Sequence, residues 1–152
     1  MTTTAEKPRT RAIVVEDVLP HAPETIWKAL TRAELIARWL MPNDFVPEPG
    51  KVFHFQAQPM GEWNGMVECR ILEIDEPRRL VYSWKGGSAD NGAYGAVLDS
   101  VLSWELTPVE GGTRVRMVHD GFASPRNDFA FEAMGRGWGN VLRSIDRIAA
   151  TL

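Results

Sequence analysis

Apolar residues in the last part of the chain, from about residue 127 to residue 152, recur at intervals of three or four. Such spacing places them on one side of a helix, with charged residues such as Arg143 and Asp146 on the other side. A long one-sided helix is stable only when its apolar face packs against something else. The pattern therefore predicts one long C-terminal helix and a surface that receives it. The apolar stripe contains Phe131, Met134, Trp138, Val141, Leu142, Ile145, Ile148, Ala149 and Leu152.

The N-terminal part of the chain predicts one strand followed by two short helices. Residues 11–19 have the alternation of a strand, with some apolar character on both faces. Pro23 suits the first turn of a helix, because the N–H group that proline lacks has no helical partner there. Thr31 and Glu34 have the spacing of a capping box, which predicts a second short helix directly after the first. Pro42 ends that second helix.

Five further segments alternate in polarity and are separated by turn residues. Because consecutive strands joined by short turns are antiparallel, they predict a meander, and the first strand brings the number of strands to six. One face of the sheet is apolar, so we expect it to be covered on that side. The predicted fold class is α+β: a curved antiparallel six-stranded sheet wrapped around a long C-terminal helix, with two short helices after strand 1. The five segments are residues 51–58, 66–75, 78–85, 97–107 and 113–120.

Length, charge and cysteine content narrow the class of protein. A chain of 152 residues has the size of one domain, which we place at residues 11–152 after a flexible tail at residues 1–10. A net charge of -3 does not favour binding to nucleic acid. No apolar run reaches the ~20 residues that span a bilayer. The single Cys69 excludes an internal disulfide and fits a cytoplasmic location. We expect no cofactor and no metal, because the three histidines lie on separate elements and match no ligand motif.

Aromatic residues supply the candidate binding site. By strand parity, several of them point toward the C-terminal helix, and two residues of that helix face them. Two interpretations stay open here: these side chains fill a solid core, or they line an apolar pocket for a hydrophobic or amphipathic small molecule. Tyr94 and the glycine-rich segment at residues 86–95 are expected at the mouth of such a pocket. The predicted ligand-binding residues are Phe53, Phe55, Trp63, Tyr82, Trp84, Trp104, His119, Met134 and Trp138.

His119 is the titratable residue with the strongest candidate role. It shares strand parity with Met117, so we expect it to face the helix, where it could contact a ligand or act as an acid or base. The alternative is a core histidine with satisfied hydrogen bonds. An enzyme of cyclase or hydrolase type would pair His119 with a carboxylate such as Glu68. Whether Glu68 and Arg70 face the cavity or the solvent stays open, because both faces of their strand carry apolar residues.

Three glycines, Gly135, Gly137 and Gly139, interrupt the predicted C-terminal helix. Their spacing resembles a phosphate loop, but no strand leads into it and no ribose-binding acid follows, so we exclude that function. Each glycine costs about 1 kcal/mol relative to alanine inside a helix. We therefore expect these glycines to let the helix bend or to pack closely on the sheet near Trp138.

Several motifs, taken in chain order, resemble one protein family. They include Ala22-Pro23-Glu24, the stretch from Pro77 to Trp84, and His119-Asp120-Gly121-Phe122. These stretches are similar to homologues of the activator of heat-shock-protein-90 ATPase, within the START-like (Bet v 1-like, SRPBCC) superfamily. The resemblance covers residues 11–152 and implies the helix-grip fold.

For function, the resemblance implies several classes. Wider relatives bind lipids, hormones or polyketides, which favours a hydrophobic small molecule as the partner. A chaperone partner and a role in stress response are the alternative, and some relatives are enzymes. The choice between monomer and homodimer stays open, because Val52, Val81 and Val101 are predicted on the outer face of the sheet.

Overall fold

The computed structural model describes residues 10–59, 61–88 and 97–152. Six strands form one antiparallel sheet in the order β1-β6-β5-β4-β3-β2. Strands β2 to β6 follow one another as a meander, and β1 pairs with β6 at the far edge. This confirms the predicted six-stranded sheet. The strands are β1 (Thr10–Leu19), β2 (Val52–Gln56), β3 (Met66–Asp75), β4 (Arg79–Gly86), β5 (Leu98–Val109) and β6 (Gly112–Ala123).

Two short helices follow β1, as predicted, and a long helical segment ends the chain. The two short helices pack against the last part of that segment. No helix in the described ranges has the length and apolar character that crossing a membrane requires. The predicted N-terminal tail lies outside the described residues except for Thr10, which already belongs to β1. The helices are α1 (Pro23–Thr31), α2 (Ala33–Trp39), α3 (Asp128–Trp138) and α4 (Val141–Ala149).

The predicted capping box is wrong, although the helix it predicted exists. The N-cap of α2 is Arg32, and no side chain caps this end. Thr31 still belongs to α1, and its hydroxyl donates to the carbonyl oxygen of Trp27 at 2.7 Å. Inside a helix, a threonine hydroxyl can reach the carbonyl four residues before it, so Thr31 bonds backward and does not cap the next helix.

The C-terminal helix is confirmed, with an interruption between α3 and α4. Gly139 and Asn140 keep right-handed backbone angles, so the chain continues in a helical sense. The amide of Asn140 donates to the carbonyl oxygen of Gly137 at 3.3 Å, a bond that spans three residues and tightens the turn. A Cβ atom added at Gly135 or Gly137 would meet nothing within 4 Å. Close packing therefore does not explain these two glycines.

The inner face of the sheet forms most of the core. On β3, Val67, Cys69 and Ile71 are buried, while Glu68 and Arg70 are exposed. This settles the parity that both apolar faces had left open. Of the three valines expected on the outer face, Val81 is 8% exposed, Val52 is half-buried, and only Val101, at 40%, is well exposed.

Strand β6 continues past its predicted end at Asp120, and it contains a bulge at that point. Ala12 pairs with Asp120 while Arg11 pairs with Phe122, so Gly121 has no partner on β1. Gly121 has φ +116, and a Cβ atom there would lie 2.9 Å from backbone atoms of β5. The extra residue shifts the alternation of side chains. As a result, His119 and Phe122 both point into the core, with their ring centroids 4.7 Å apart.

Candidate ligand-binding cavity

A cavity of about 700 Å³ lies between the inner face of the sheet and α3. Strands β3, β4 and β5 supply one wall, α3 supplies the opposite wall, and the end of α2 closes a third side. This is the place where the sequence predicted a pocket. The lining residues are Trp39, Leu40, Met41, Ala57, Trp63, Val67, Trp84, Gly86, Gly87, Leu98, Phe129, Ala130, Ala133, Met134, Gly137, Trp138 and Val141.

The space exists because α3 presents small residues to it. Ala130, Ala133 and Gly137 recur at helical spacing and line the cavity. The corresponding face of α4 carries Leu142 and Ile145, which are buried in the core. The two parts of the C-terminal helix therefore differ: α4 fills the space beneath it, and α3 leaves it open.

Four of the predicted ligand-binding residues line this cavity, namely Trp63, Trp84, Met134 and Trp138. The other five lie beneath the lining in the solid core, each no more than 3% exposed. Edge-to-face contacts, an arrangement that aromatic pairs prefer, join several of these rings: Phe53 lies 5.5 Å from Phe55 and 5.2 Å from Tyr82, measured between centroids. The sequence thus predicted one aromatic cluster, and the structure divides it into a wall and a floor. The five floor residues are Phe53, Phe55, Tyr82, Trp104 and His119.

Sequence reasoning missed the contribution of α2. Trp39, Leu40 and Met41 stand at the end of this helix and close one side of the cavity. Trp39 packs edge-to-face on Trp104 at 5.4 Å between ring centroids. The apolar run directly before Pro42 is visible in the sequence, but periodicity alone does not show that it borders a cavity.

Only part of the glycine-rich segment can be placed. Gly86 ends β4, and Gly87 lines the cavity. Residues 89–96, which include Tyr94, lie outside the described residues, so their predicted position at the mouth remains a prediction.

His119 is fully buried and stands at the centre of a hydrogen-bond chain. Trp138 Nε1 donates to His119 Nδ1 at 3.2 Å. Because Nδ1 accepts, the ring proton sits on Nε2, which lies 2.8 Å from Ser100 Oγ and donates to it. The Ser100 hydroxyl in turn donates to the carbonyl oxygen of Trp84 at 2.9 Å. Each polar side-chain atom in this series of hydrogen bonds has a partner, so His119 fits the alternative of a core histidine with satisfied hydrogen bonds.

Burial keeps the His119 ring neutral. Removal from water lowers its pKa to about 3, because the uncharged groups around the ring do not replace the hydration of an imidazolium. His119 does not line the cavity. It contacts the cavity indirectly, through the indole of Trp138.

The structure does not bring His119 and Glu68 together. Glu68 lies on the outer face of the sheet, with its carboxylate 3.8 Å from His54 Nε2. His119 lies on the inner face, so the sheet itself separates the two side chains. The pair that a cyclase or hydrolase mechanism would need is therefore not assembled. Within the described ranges, no three His, Cys, Asp or Glu residues are grouped as metal ligands.

Sheet, helices and cavity together define a helix-grip domain, in which a curved antiparallel sheet encloses an apolar space under the C-terminal helix. The family model described as Activator of Hsp90 ATPase homolog 1-like protein matches residues 20–150, and the chain belongs to this family. Comparison with curated proteins gives no significant match.

Solved structures of bacterial proteins share the fold. Protein MLL2253 from Mesorhizobium loti is 33% identical, with a TM-score of 0.82 over 93% of this chain and 98% of that chain. Protein BH1534 from Bacillus halodurans is 24% identical, with a TM-score of 0.73 over 94% and 99%. Protein NE0264 from Nitrosomonas europaea is 21% identical, with a TM-score of 0.70 over 92% and 94%. The last two similarities concern the fold alone.

Proposed function

We propose that this protein binds a hydrophobic or amphipathic small molecule in the cavity under α3. One observation carries the proposal: among the residues that the structure describes, none of those lining about 700 Å³ of space has a charged, hydroxyl or amide side chain. Cavities that bind small ligands have volumes of roughly 300–1,000 Å³ and mainly apolar walls. Water finds few hydrogen-bond partners in such a space. An apolar ligand that replaces it binds with a favourable free energy of about 25 cal/mol for each Å² of apolar surface buried.

The composition of the walls favours a ligand with rings. Trp63, Trp84 and Trp138 offer flat surfaces on different sides of the cavity. Met41 and Met134 add unbranched side chains that can adjust to an irregular shape. The rings of Trp84 and Trp138 are set edge-to-face, with 6.0 Å between centroids, so a bound molecule meets surfaces of different orientation.

Gly137 allows a direct test, with Gly135 as its matched control. Both are α3 glycines at which a Cβ atom meets open space, but only Gly137 lines the cavity. In Gly137→Leu the new side chain occupies the site; if it covers about 60 Å² of wall, affinity falls roughly tenfold. Gly135→Leu should leave binding unchanged.

The probe for this test is N-phenyl-1-naphthylamine, a neutral compound whose fluorescence rises in apolar surroundings. The expected result is saturable binding to the unaltered protein and to Gly135→Leu, with weaker binding to Gly137→Leu. Equal affinities for all three proteins would place the probe outside the cavity. No saturable signal with this probe or with a panel of lipids and aromatic compounds would contradict the proposal.

A second candidate is interaction with a chaperone in a stress response, and family membership supports it. Purified protein would be tested for stimulation of the ATPase of its host's heat-shock-protein-90 homologue, with a pull-down as the binding measurement. Absence of both effects would remove this candidate. We place either function in the cytoplasm, where Cys69 would stay a free thiol, as it is in the structure.

A further inference from the structure

The polar groups of the cavity wall are few and can be assigned one by one. Among the lining side chains in the described part of the chain, the only nitrogen or oxygen atoms are the indole Nε1 atoms of four tryptophans. Three of these N–H groups already donate to atoms of the protein. The bonds run from Trp39 to the carbonyl oxygen of Ala29 (2.8 Å), from Trp63 to that of Met66 (3.0 Å) and from Trp138 to His119 Nδ1 (3.2 Å).

Trp84 is the exception. Its Nε1 donates to no group of the described residues, in contrast to the bonds made by the other three indoles. In those residues, every fully buried side-chain nitrogen or oxygen has a hydrogen-bond partner. The Nε1 atom of Trp84 must therefore reach accessible space, and the cavity is the space that Trp84 lines.

This donor, which has no partner among the described residues, is held in a fixed position. The ring of Trp84 packs at 5.2 Å from Phe55 and at 5.1 Å from His119, measured between centroids. Its backbone carbonyl accepts the hydroxyl of Ser100 at 2.9 Å. A donor fixed in an apolar wall is the kind of group that sets the orientation of a ligand.

We infer that the ligand is an uncharged molecule that presents one acceptor oxygen, a carbonyl or an ether, to Trp84 Nε1. This inference rests on the proposed function and adds the chemical class of the ligand. An ionised group inside the cavity would lose its hydration, and the lining residues that the structure describes offer it no counter-charge. A pure hydrocarbon would displace water from Trp84 Nε1 and leave the donor unpaired, which also costs free energy. A neutral ligand with one acceptor avoids both costs.

A pair of probes of similar shape tests the inference: 1-acetylpyrene, which has a carbonyl acceptor, and 1-ethylpyrene, which has none. Trp84→Phe removes the free donor and keeps an aromatic ring. We expect this change to lower the affinity for 1-acetylpyrene by about 2- to 10-fold, which corresponds to the free energy of one hydrogen bond. The affinity for 1-ethylpyrene should stay the same or rise, which also reports that the variant is folded.

Trp63→Phe is the matched control, because its indole lines the same cavity but donates to Met66. It should change the affinities for the two probes by the same factor. Infrared spectra give a second measurement: the carbonyl band of bound 1-acetylpyrene should lie at lower frequency in the unaltered protein than in Trp84→Phe.

The possible outcomes separate the two proposals. If both probes bind and Trp84→Phe weakens them equally, or if the carbonyl band does not move, the assignment of Trp84 is wrong while the cavity still binds ligands. If neither probe gives saturable binding, both the binding function and the assignment of Trp84 are contradicted.

Discussion

Acid is expected to weaken the fold through His119, the buried ring that bonds to Trp138 and Ser100. Burial lowers its pKa to about 3 in the folded protein, whereas a histidine in an unfolded chain has a pKa of about 6.5. Between these two values the unfolded chain binds a proton that the folded protein excludes. The stability is therefore complete above about pH 6.5 and falls as the pH drops toward 3.

The size of the effect follows from the separation of the two pKa values. Each pH unit below about 6.5 removes roughly 1.4 kcal/mol, which amounts to about 2 kcal/mol at pH 5 and about 5 kcal/mol near pH 3. A domain of ordinary stability unfolds with about 5–15 kcal/mol. The loss at mildly acidic pH is thus a large part of the total and can be measured before the protein unfolds.

The assay compares the unaltered protein with His119→Gln, a polar side chain that does not titrate. Free energies of unfolding come from urea titrations followed by tryptophan fluorescence. Carboxylates titrate alike in both proteins and cancel in the difference. We expect the stability advantage of the unaltered protein to shrink by about 2 kcal/mol between about pH 7 and pH 5. A difference that stays constant over this range would show that His119 titrates in the folded protein, and the assignment of a neutral ring would be wrong.

Two further predictions concern the floor of the cavity and the charge of its ligand. Tyr82→Phe removes the hydroxyl that accepts from Trp104 Nε1 at 3.2 Å and should lower the free energy of unfolding by about 1–3 kcal/mol. The affinity for the probe should not change, because Tyr82 does not line the cavity. A large loss of binding would contradict the division into wall and floor. Methyl 1-pyrenecarboxylate should bind at least about tenfold more tightly than 1-pyrenecarboxylate near neutral pH, because the described lining residues offer no counter-charge. Equal affinities in fluorescence titrations would argue against an uncharged ligand.

The order of the elements could be predicted because each depends on local pattern. The long C-terminal helix, the two helices after β1 and the antiparallel meander all follow from residue periodicity and from turn residues between segments. Two local predictions needed tertiary information. The parity of β3 depended on which of its two apolar faces meets the core. The last part of β6 depended on the bulge at Gly121, which reverses the alternation and turns Phe122 inward.

The candidate site could be predicted only as a region. Strand parity identified the inward-facing rings, but a solid core and a lined cavity use the same residues. Which rings border empty space depends on what stands opposite them. In this protein the cavity exists because the side chains at Ala130, Ala133 and Gly137 are small or absent. A search for large apolar residues passes over such positions. The sequence connects the glycines of this helix with bending or close packing, and not with a cavity.

The C-terminal helix combines two requirements that conflict. To leave a cavity, α3 has to give up most of the apolar contacts that would hold it on the sheet, and only Ala130 and Trp138 of α3 are buried. Its attachment then depends on Phe131, whose ring packs on Phe122 with 5.5 Å between centroids, and on its two ends. At the start, the buried amide of Asn127 donates to the carbonyl oxygen of Val97 at 2.8 Å and accepts from the amide of Ala123 at 3.0 Å.

At the other end of α3, the attachment is the indole of Trp138 on His119. A histidine that is held neutral contributes little as an acid or base near neutral pH. Its Nδ1 atom nevertheless accepts the indole N–H of Trp138, so this buried donor does not need a water molecule as partner. His119 therefore holds the indole of Trp138 in place, and through it a part of the cavity wall. The residue that the sequence singled out for chemistry reaches the cavity through this indole.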